Sequence, residues 1–194
     1  MSRWRRVVSS RGFRASVGFV LLLGAAWGVD FVWRDRSYRH EKLTLEGIGN
    51  FGQVHARLYR GGQPSMPGLA NLKALGVNTI ISFTLGEEGA KAEAAEAERL
   101  GMEYVALPWS TVEVPEPEQI DAFLSYLKTH PDKTVFVHCK AGADRTGTMI
   151  ALSRIALDGW PAQQAIDEMN AFHYHFIFLP HLQRFVEKYR PALP

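Results

Sequence analysis

The sequence contains little cysteine and has a small net charge. It contains one cysteine, Cys139, among 194 residues, so no disulfide can form within the chain. The formal net charge is only +2, and no basic stripe is interleaved with aromatic side chains, which argues against binding to nucleic acid. Internal repeats and low-complexity tracts are absent as well. After the first 40 residues, about 150 remain, enough for one well-buried globular domain.

The N-terminal segment differs in composition from the rest of the chain. Five arginines occur before residue 15 without an acidic residue, and residues 15–33 are apolar apart from one charge at Asp30. As a helix, this run would span about 28 Å, close to the hydrocarbon thickness of a bilayer. We expect a single-pass membrane anchor with the arginines on the cytoplasmic side. A signal peptide cleaved near residues 24–26 is the alternative. Both place the following domain on the periplasmic or extracellular side.

The segments that follow suggest a linker and one α/β domain. We expect a basic segment at 1–14, the anchor or signal sequence at 15–33, a charged linker at 34–47 and a folded domain at 48–190. Within that domain, predicted strands and helices alternate. The strands are expected at 58–60, 77–83, 102–107 and 134–138, and the helices at 69–75, 88–100, 117–130, 145–157, 161–172 and 180–189. This alternation predicts a mostly parallel central sheet with helices on both faces.

The strongest chemical signal lies between Val135 and Gly147. A short β-branched run ends at Cys139, five residues lead to Arg145, and Thr146 then opens an apolar helix. Backbone N–H groups and the dipole at a helix N-terminus favour a thiolate and bind anions. The planar guanidinium of Arg145 can hold two phosphate oxygens. A nucleophile and a phosphate site in one loop predict covalent phosphoryl transfer to cysteine.

The pattern His-Cys-x5-Arg-Thr-Gly at residues 138–147 resembles the signature loop of the cysteine-dependent tyrosine and dual-specificity phosphatases. Residues 58–64, Leu-Tyr-Arg-Gly-Gly-Gln-Pro, are similar to the entry segment of the bacterial branch of that family. The resemblance covers about residues 48–190. It implies a dual-specificity-phosphatase-like fold, a reaction without metal or other cofactor, and a phosphorylated protein or a membrane phospholipid as substrate.

The resemblance also implies roles for the loop residues. Cys139 would attack phosphorus as a thiolate and form a cysteinyl-phosphate that water then hydrolyses. His138 would orient the loop and favour the thiolate, although a histidine at a strand end is also a common core residue. Thr146 would donate its hydroxyl to the sulfur, or else satisfy a free N–H at the helix start. Contacts to the phosphate are expected from Lys140, Ala141, Gly142, Ala143, Asp144, Arg145 and Thr146.

The proton donor for the leaving oxygen is missing from its usual place. Family members generally carry an aspartate on a loop before the cysteine, but residues 107–118 contain none. Glu113 is the best-placed carboxylic acid in that stretch. Asp144 is the other candidate, because the Cys-x4-Asp-Arg arrangement is similar to that of the myotubularin and Sac-type lipid phosphatases. A salt bridge to Arg145 or Lys140 is the alternative role for Asp144.

Other interpretations concern metal, substrate and turnover. His173, His175 and His181 suggest a metal site, but they lack a tetrahedral ligand spacing with acidic or thiol partners, and an aromatic turn between two helices is the preferred interpretation. The tetrad Cys-Lys-Ala-Gly resembles that of phosphoinositide phosphatases, which leaves a lipid substrate open beside a phosphoprotein. The alternative function is a phosphatase-like domain that binds phosphorylated ligands at the membrane with little turnover. Only the N-terminal apolar run recommends a structural membrane protein.

Overall fold

A six-stranded sheet forms the centre of the computed structural model, which describes residues 41–86 and 89–191. The strands are β1 (Glu41–Lys42), β2 (Gly52–His55), β3 (Leu58–Gly62), β4 (Thr79–Ser82), β5 (Glu103–Ala106) and β6 (Val135–Cys139). Their order across the sheet is β1-β2-β3-β6-β4-β5. The strands β3, β6, β4 and β5 run parallel, whereas β1 and β2 add an antiparallel edge. The sheet is therefore mixed, and the predicted parallel arrangement holds for four of its strands.

Helices cover both faces of this sheet. Those in the described ranges are α1 (Met66–Ala74), α2 (Ala90–Arg99), α3 (Pro117–Thr129), α4 (Asp144–Asp158), α5 (Ala162–Ala171) and α6 (Pro180–Lys188). Helices α1 and α2 contact each other, and their buried side chains pack with Ile80 and Phe136 on one face. The neighbouring strand residues Ile81 and Val137 are also fully buried and, by strand alternation, point to the opposite face. Helices α3 to α6 contact one another there.

The start signals of two helices show how the sequence sets their bounds. Helix α3 begins at Pro117 as predicted, because Glu116 and Gln119 form a reciprocal capping box around that proline. Helix α1 begins three residues before the predicted position. Ser65 is its N-cap and accepts a hydrogen bond from the backbone N–H of Gly68 at 3.2 Å.

The segment before β2 takes part in the sheet. Strand β1 lies within the range predicted as linker, and Glu41 and Lys42 pair with Gln53 and Gly52. The predicted anchor at 15–33 lies outside the described residues. Within the ranges 41–86 and 89–191, no helix combines the length and apolar character needed to cross a membrane.

The loop that follows β6 is positioned by a close approach of its backbone to the backbone of β3. Gly142 adopts a left-handed conformation with φ at 71°. A Cβ at this position would lie 2.3 Å from the carbonyl carbon of Gly61 and 2.4 Å from the nitrogen of Gly62. In the β3–β6 register, Gly62 is paired with Cys139. The loop after β6 therefore folds back over the end of β3 with no room for a side chain between them.

Replacing Gly142 with alanine should therefore destabilise the protein by more than the strain of its left-handed backbone conformation alone. Gly159 has almost the same φ, 70°, but a Cβ there would meet nothing within 4 Å, so Gly159→Ala serves as the matched control for backbone strain. We expect Gly142→Ala to lower the free energy of unfolding by about 1–3 kcal/mol more than Gly159→Ala, the usual cost of overpacking. Urea denaturation followed by circular dichroism measures both. Equal losses of unfolding free energy in the two variants would contradict a rigid contact between the loop and β3.

Candidate active site

The loop between β6 and α4 holds the reactive cysteine. Cys139 is the last residue of β6 and is 3% exposed. Within the described part of the chain, the backbone N–H groups of residues 141–143 donate to no protein acceptor. They precede a helix of 15 residues, whose dipole favours a negative charge at this end. The loop therefore presents unused N–H donors for an anion beside the sulfur.

Two side chains outside the loop hold the carbonyl oxygen of Gly142. The Nη2 of Arg60 donates to it at 3.2 Å, and the Nδ2 of Asn50 donates to it at 3.1 Å. Asn50 also donates to the carbonyl of Phe172 at 2.8 Å, which ties the loop to the end of α5. In a trans peptide the C=O and the following N–H point in opposite directions. The N–H of Ala143 consequently points away from these donors, as an anion site requires.

Arg60 is a buried positive charge beneath this loop. Its side chain is fully buried, and its guanidinium carbon lies 3.9 Å from the centre of the Phe172 ring. Burial lowers the pKa of Arg60 to about 10, while the charges of Glu168 and Cys139 act to raise it and that of Arg154 acts to lower it. The group is still protonated at neutral pH. Its charge therefore favours a thiolate at Cys139 and an anion in the loop.

His138 precedes the cysteine and is completely buried. Its Nδ1 lies 3.4 Å from the carbonyl oxygen of Cys139, and its Nε2 lies 2.7 Å from Oε1 of Glu93 on α2. The residue therefore belongs to the core and also contacts the loop, while its effect on the thiolate stays a prediction.

Arg145 and Thr146 occupy the first turn of α4. The Nη1 of Arg145 donates to the carbonyl of Phe83 at 3.0 Å and to that of Trp109 at 3.5 Å, so the guanidinium bridges the segments that follow β4 and β5. The Thr146 hydroxyl is buried and has no hydrogen-bond partner among the described residues. No side chain caps α4, so the alternative role of Thr146 as a helix cap is not seen. Its hydroxyl remains available to a sulfur or phosphate oxygen.

The two candidate proton donors lie on different elements. The carboxylate of Asp144 accepts from the backbone N–H of His175 at 2.9 Å, and Nδ1 of the same histidine lies 3.0 Å from its other oxygen. Glu113 is exposed in the loop after β5. That loop is fixed by His181, whose Nε2 lies 2.8 Å from the carbonyl oxygen of Thr111. Asp144 is thus adjacent to Arg145 in the chain, and Glu113 belongs to the segment whose Trp109 carbonyl Arg145 contacts. No contact of either carboxyl group among the described residues decides which of them donates the proton.

The remaining predicted residues have plain structural contacts. The exposed Lys140 donates from Nζ to Oε1 of Gln63 at 3.2 Å. His173 lies 2.6 Å from the Nζ of Lys42, so the three histidines considered for a metal site have separate partners. In the described ranges, no group of side chains is suited to hold a metal ion.

Four residues of the site were not predicted from the sequence: Asn50, Arg60, Glu93 and His175. Arg60 does lie within the quoted segment 58–64, and His175 belongs to the histidine-rich turn. No sequence spacing could have predicted Asn50 or Glu93, because each reaches the loop or its flanking strand through a contact between distant parts of the chain.

Exposed apolar side chains lie next in sequence to two residues of the segments described above, His175 and Thr111. Phe176, Ile177 and Phe178 follow His175 and are 57%, 71% and 79% exposed. Val112, next to Thr111, is 78% exposed. Large apolar side chains grouped in this way usually mark a binding surface.

A Cys-x5-Arg loop at the carboxyl end of a parallel strand, leading into a helix with buried positive charge beneath it, defines a cysteine-dependent phosphatase domain. Residues 44–175 match the family described as DSP-PTPase phosphatase fused to NAD+ kinase, and the chain belongs to this family. The family predicted from the sequence is thereby confirmed.

Individual relatives agree with this assignment. The dual specificity protein phosphatase TpbA of Pseudomonas aeruginosa (strain UCBPP-PA14) is 30% identical over 121 residues, which cover 62% of this chain and 53% of TpbA. The inositol diphosphatase DSP4 of Arabidopsis thaliana is 27% identical and is covered to 63%, as is this chain. The chain thus spans about half the length of the first curated relatives that it matches.

Solved structures share the fold. The crystal structure of P. aeruginosa TpbA superposes with a TM-score of 0.67 at 25% identity and covers 80% of this chain and 93% of its own. A TpbA variant in complex with phosphotyrosine gives a TM-score of 0.64 at 24% identity, covering 75% of this chain and 88% of its own.

The identity of the proton donor can be tested by changing the leaving group. A general acid contributes roughly 100- to 10,000-fold when the leaving oxygen needs a proton, but p-nitrophenolate leaves without one. Asp144→Asn and Glu113→Gln each keep the shape of the side chain while removing the proton. The variant that lacks the true acid should hydrolyse an alkyl phosphate far more slowly than the wild type, while losing little activity on p-nitrophenyl phosphate. Equal small losses from both variants on both substrates would exclude both residues.

Proposed function

We propose that this protein is a phosphomonoester hydrolase that works through a cysteinyl-phosphate intermediate and needs no metal or other cofactor. The observation that carries the proposal is the single loop in which Cys139, the unused N–H groups of residues 141–143 and Arg145 meet at the N-terminus of α4. Arg60 adds a buried positive charge beneath that loop. These groups are complementary to a thiolate and to a phosphoryl group with developing negative charge.

The reaction divides into two displacements. In the first, the thiolate of Cys139 forms a bond to phosphorus while the bond to the leaving oxygen breaks, and that oxygen takes a proton from Asp144 or Glu113. In the second, water attacks phosphorus, its proton passes to the carboxylate that was deprotonated in the first step, and the sulfur leaves as a thiolate. The unpartnered hydroxyl of Thr146 would stabilise the sulfur as it leaves. Arg145 and the loop N–H groups hold the equatorial oxygens in both steps.

Turnover of p-nitrophenyl phosphate by the purified protein tests this proposal. Hydrolysis should be inhibited by vanadate and unaffected by EDTA. Cys139→Ser should abolish hydrolysis but keep binding of a phosphate analogue, because Arg145 and the N–H groups remain. Arg145→Lys should be nearly as inactive, since a point charge cannot replace a bidentate guanidinium. Activity retained in Cys139→Ser would contradict the covalent mechanism.

The exposed apolar side chains after β5 and between α5 and α6 bear on the substrate class. Phe176, Ile177, Phe178 and Val112 favour a phosphate attached beside an apolar group, either the ring of a phosphotyrosine or the acyl chains of a membrane phospholipid. The TpbA complex contains phosphotyrosine, and the Arabidopsis relative is named for an inositol substrate. A comparison of kcat/KM for phosphotyrosine peptides, phospholipid vesicles and inositol phosphates would rank these classes.

A second candidate function is a domain that binds phosphorylated ligands with little turnover. The absence of aspartate from residues 107–118 favours it, as does the contact of Asp144 with His175, which already occupies one of the two candidate acids. Vanadate binding by the wild-type protein without measurable hydrolysis of any phosphomonoester would support this alternative.

We also propose that residues 15–33 anchor the protein in the cell membrane or act as its signal sequence, with the phosphatase domain on the extracytoplasmic side. The support is the apolar run itself, preceded by arginines without acidic residues. An uncleaved anchor would keep the domain close to the bilayer and raise its effective concentration towards membrane substrates.

A fusion of alkaline phosphatase after Pro194 tests this topology. Alkaline phosphatase acquires its disulfides only outside the cytoplasm, so we expect an active fusion. A fusion of β-galactosidase at the same position is the control and should be inactive. The opposite pattern would place the domain in the cytoplasm.

A further inference from the structure

Beside Cys139 lies a buried pair of ionisable side chains that has no direct part in the two displacements. Glu93 on α2 and His138 on β6 are 1% and 0% exposed. The Oε1 of Glu93 lies 2.7 Å from Nε2 of His138, within ion-pair distance, but neither atom has a partner in hydrogen-bond geometry among the described residues. A buried carboxylate is strongly unfavourable unless it is paired with a positive charge.

The two ring nitrogens of His138 both face oxygen atoms. Its Nδ1 lies 3.4 Å from the carbonyl oxygen of Cys139, and its Nε2 faces Glu93. A neutral imidazole has one N–H donor, whereas an imidazolium has two. An imidazolium would direct one N–H towards each oxygen, one on a carboxylate and one on the residue that carries the nucleophilic sulfur.

The second oxygen of Glu93 reaches the mouth of the loop. Its Oε2 accepts from Nε2 of Gln63 at 2.9 Å, and Oε1 of Gln63 accepts from Nζ of Lys140 at 3.2 Å. The backbone N–H of Gln63 also donates to the carbonyl of Lys140 at 3.2 Å. One carboxylate thus connects the residue before Cys139 with the residue after it.

We propose that Glu93 is a positioning residue of this active site, which holds His138 as an imidazolium beside Cys139 and ties the loop at Lys140 through Gln63. Glu93 does not contact the substrate and acts through its neighbours. The catalytic consequence rests on the proposed function, whereas the effect on the thiol of Cys139 does not.

The other charged groups around Cys139 and His138 are unchanged in a Glu93 variant. They are Arg60 on β3, Lys140 in the loop, and Asp144 and Arg145 at the start of α4. Strand β4 contributes no charge here, since the residue paired with His138 is Ser82. An altered pH profile in the variant therefore reports the loss of the carboxylate.

The variant Glu93→Gln tests the proposal, because glutamine keeps the shape of the side chain and loses its charge. Glu98→Gln, an exposed position on the same helix, is the matched control. Cys139 is the only cysteine of the chain, so iodoacetamide alkylation reports this thiol alone. We expect the alkylation rate at neutral pH to fall about 10- to 100-fold in Glu93→Gln, the usual effect of one nearby charge on an ionisable group. The difference should vanish at high pH, and Glu98→Gln should match the wild type.

A double variant separates positioning from simple folding effects. In a His138→Asn background, adding Glu93→Gln should change the alkylation rate less than twofold, because the carboxylate acts through the imidazole. An equal loss in both backgrounds would overturn the proposal. If the variants fail to fold, the wild-type protein still provides a test. Nitrogen-15 spectra at neutral pH should show His138 with both ring nitrogens protonated, and a single protonated nitrogen would exclude the imidazolium.

These readouts distinguish this inference from the proposed function. A wild-type protein that hydrolyses no phosphomonoester, with slow alkylation of Glu93→Gln, would reject the proposed function and keep the role of Glu93. An active wild type whose Glu93→Gln variant is alkylated at the wild-type rate would reject only the role of Glu93.

Discussion

The orientation of one peptide group, between Gly142 and Ala143, decides whether the loop after β6 can receive an anion. Its carbonyl oxygen is held by Arg60 and Asn50, so its N–H is turned to the opposite side. This requires the loop to lie directly on the backbone of β3, where a Cβ on Gly142 would meet Gly61. In the β3–β6 register Gly62 is paired with Cys139, so the same contact lies where the chain leaves β6 towards α4.

Buried charges beneath the loop provide its electrostatic field. Arg60 brings positive charge next to Cys139 without exposure to water, and the buried carboxylates of Glu168 and Glu93 lie near Arg60 and His138. Buried ion pairs contribute little to stability relative to apolar packing, since desolvation offsets most of their attraction. Their use here is better explained by the anion they face, because dipoles and charges fixed in a dry site need not reorganise when negative charge develops.

Histidines in the turn between α5 and α6 and at the start of α6 contact Asp144 and the loop that carries Glu113, the two candidate acids. Of these, His175 contacts Asp144 and His181 contacts the loop of Glu113. Between these histidines lie the exposed residues Phe176 to Phe178. A ligand that covers this apolar segment would therefore lie next to the two histidines that contact Asp144 and the loop of Glu113.

The sequence alone determined the features whose causes are local. Cys139, Arg145 and the strand–loop–helix around them fall within a few residues, and the alternation of strand and helix patterns predicted the α/β core. The antiparallel edge of β1 and β2 and the partners of the loop did not follow from any local pattern. Arg60 and Gly142 are separated by 82 residues, Asn50 and Gly142 by 92, and His175 and Asp144 by 31. Only the tertiary structure could show these contacts, because burial and pairing of a charge depend on which distant segments cross, whereas periodicity reports only the neighbours along the chain.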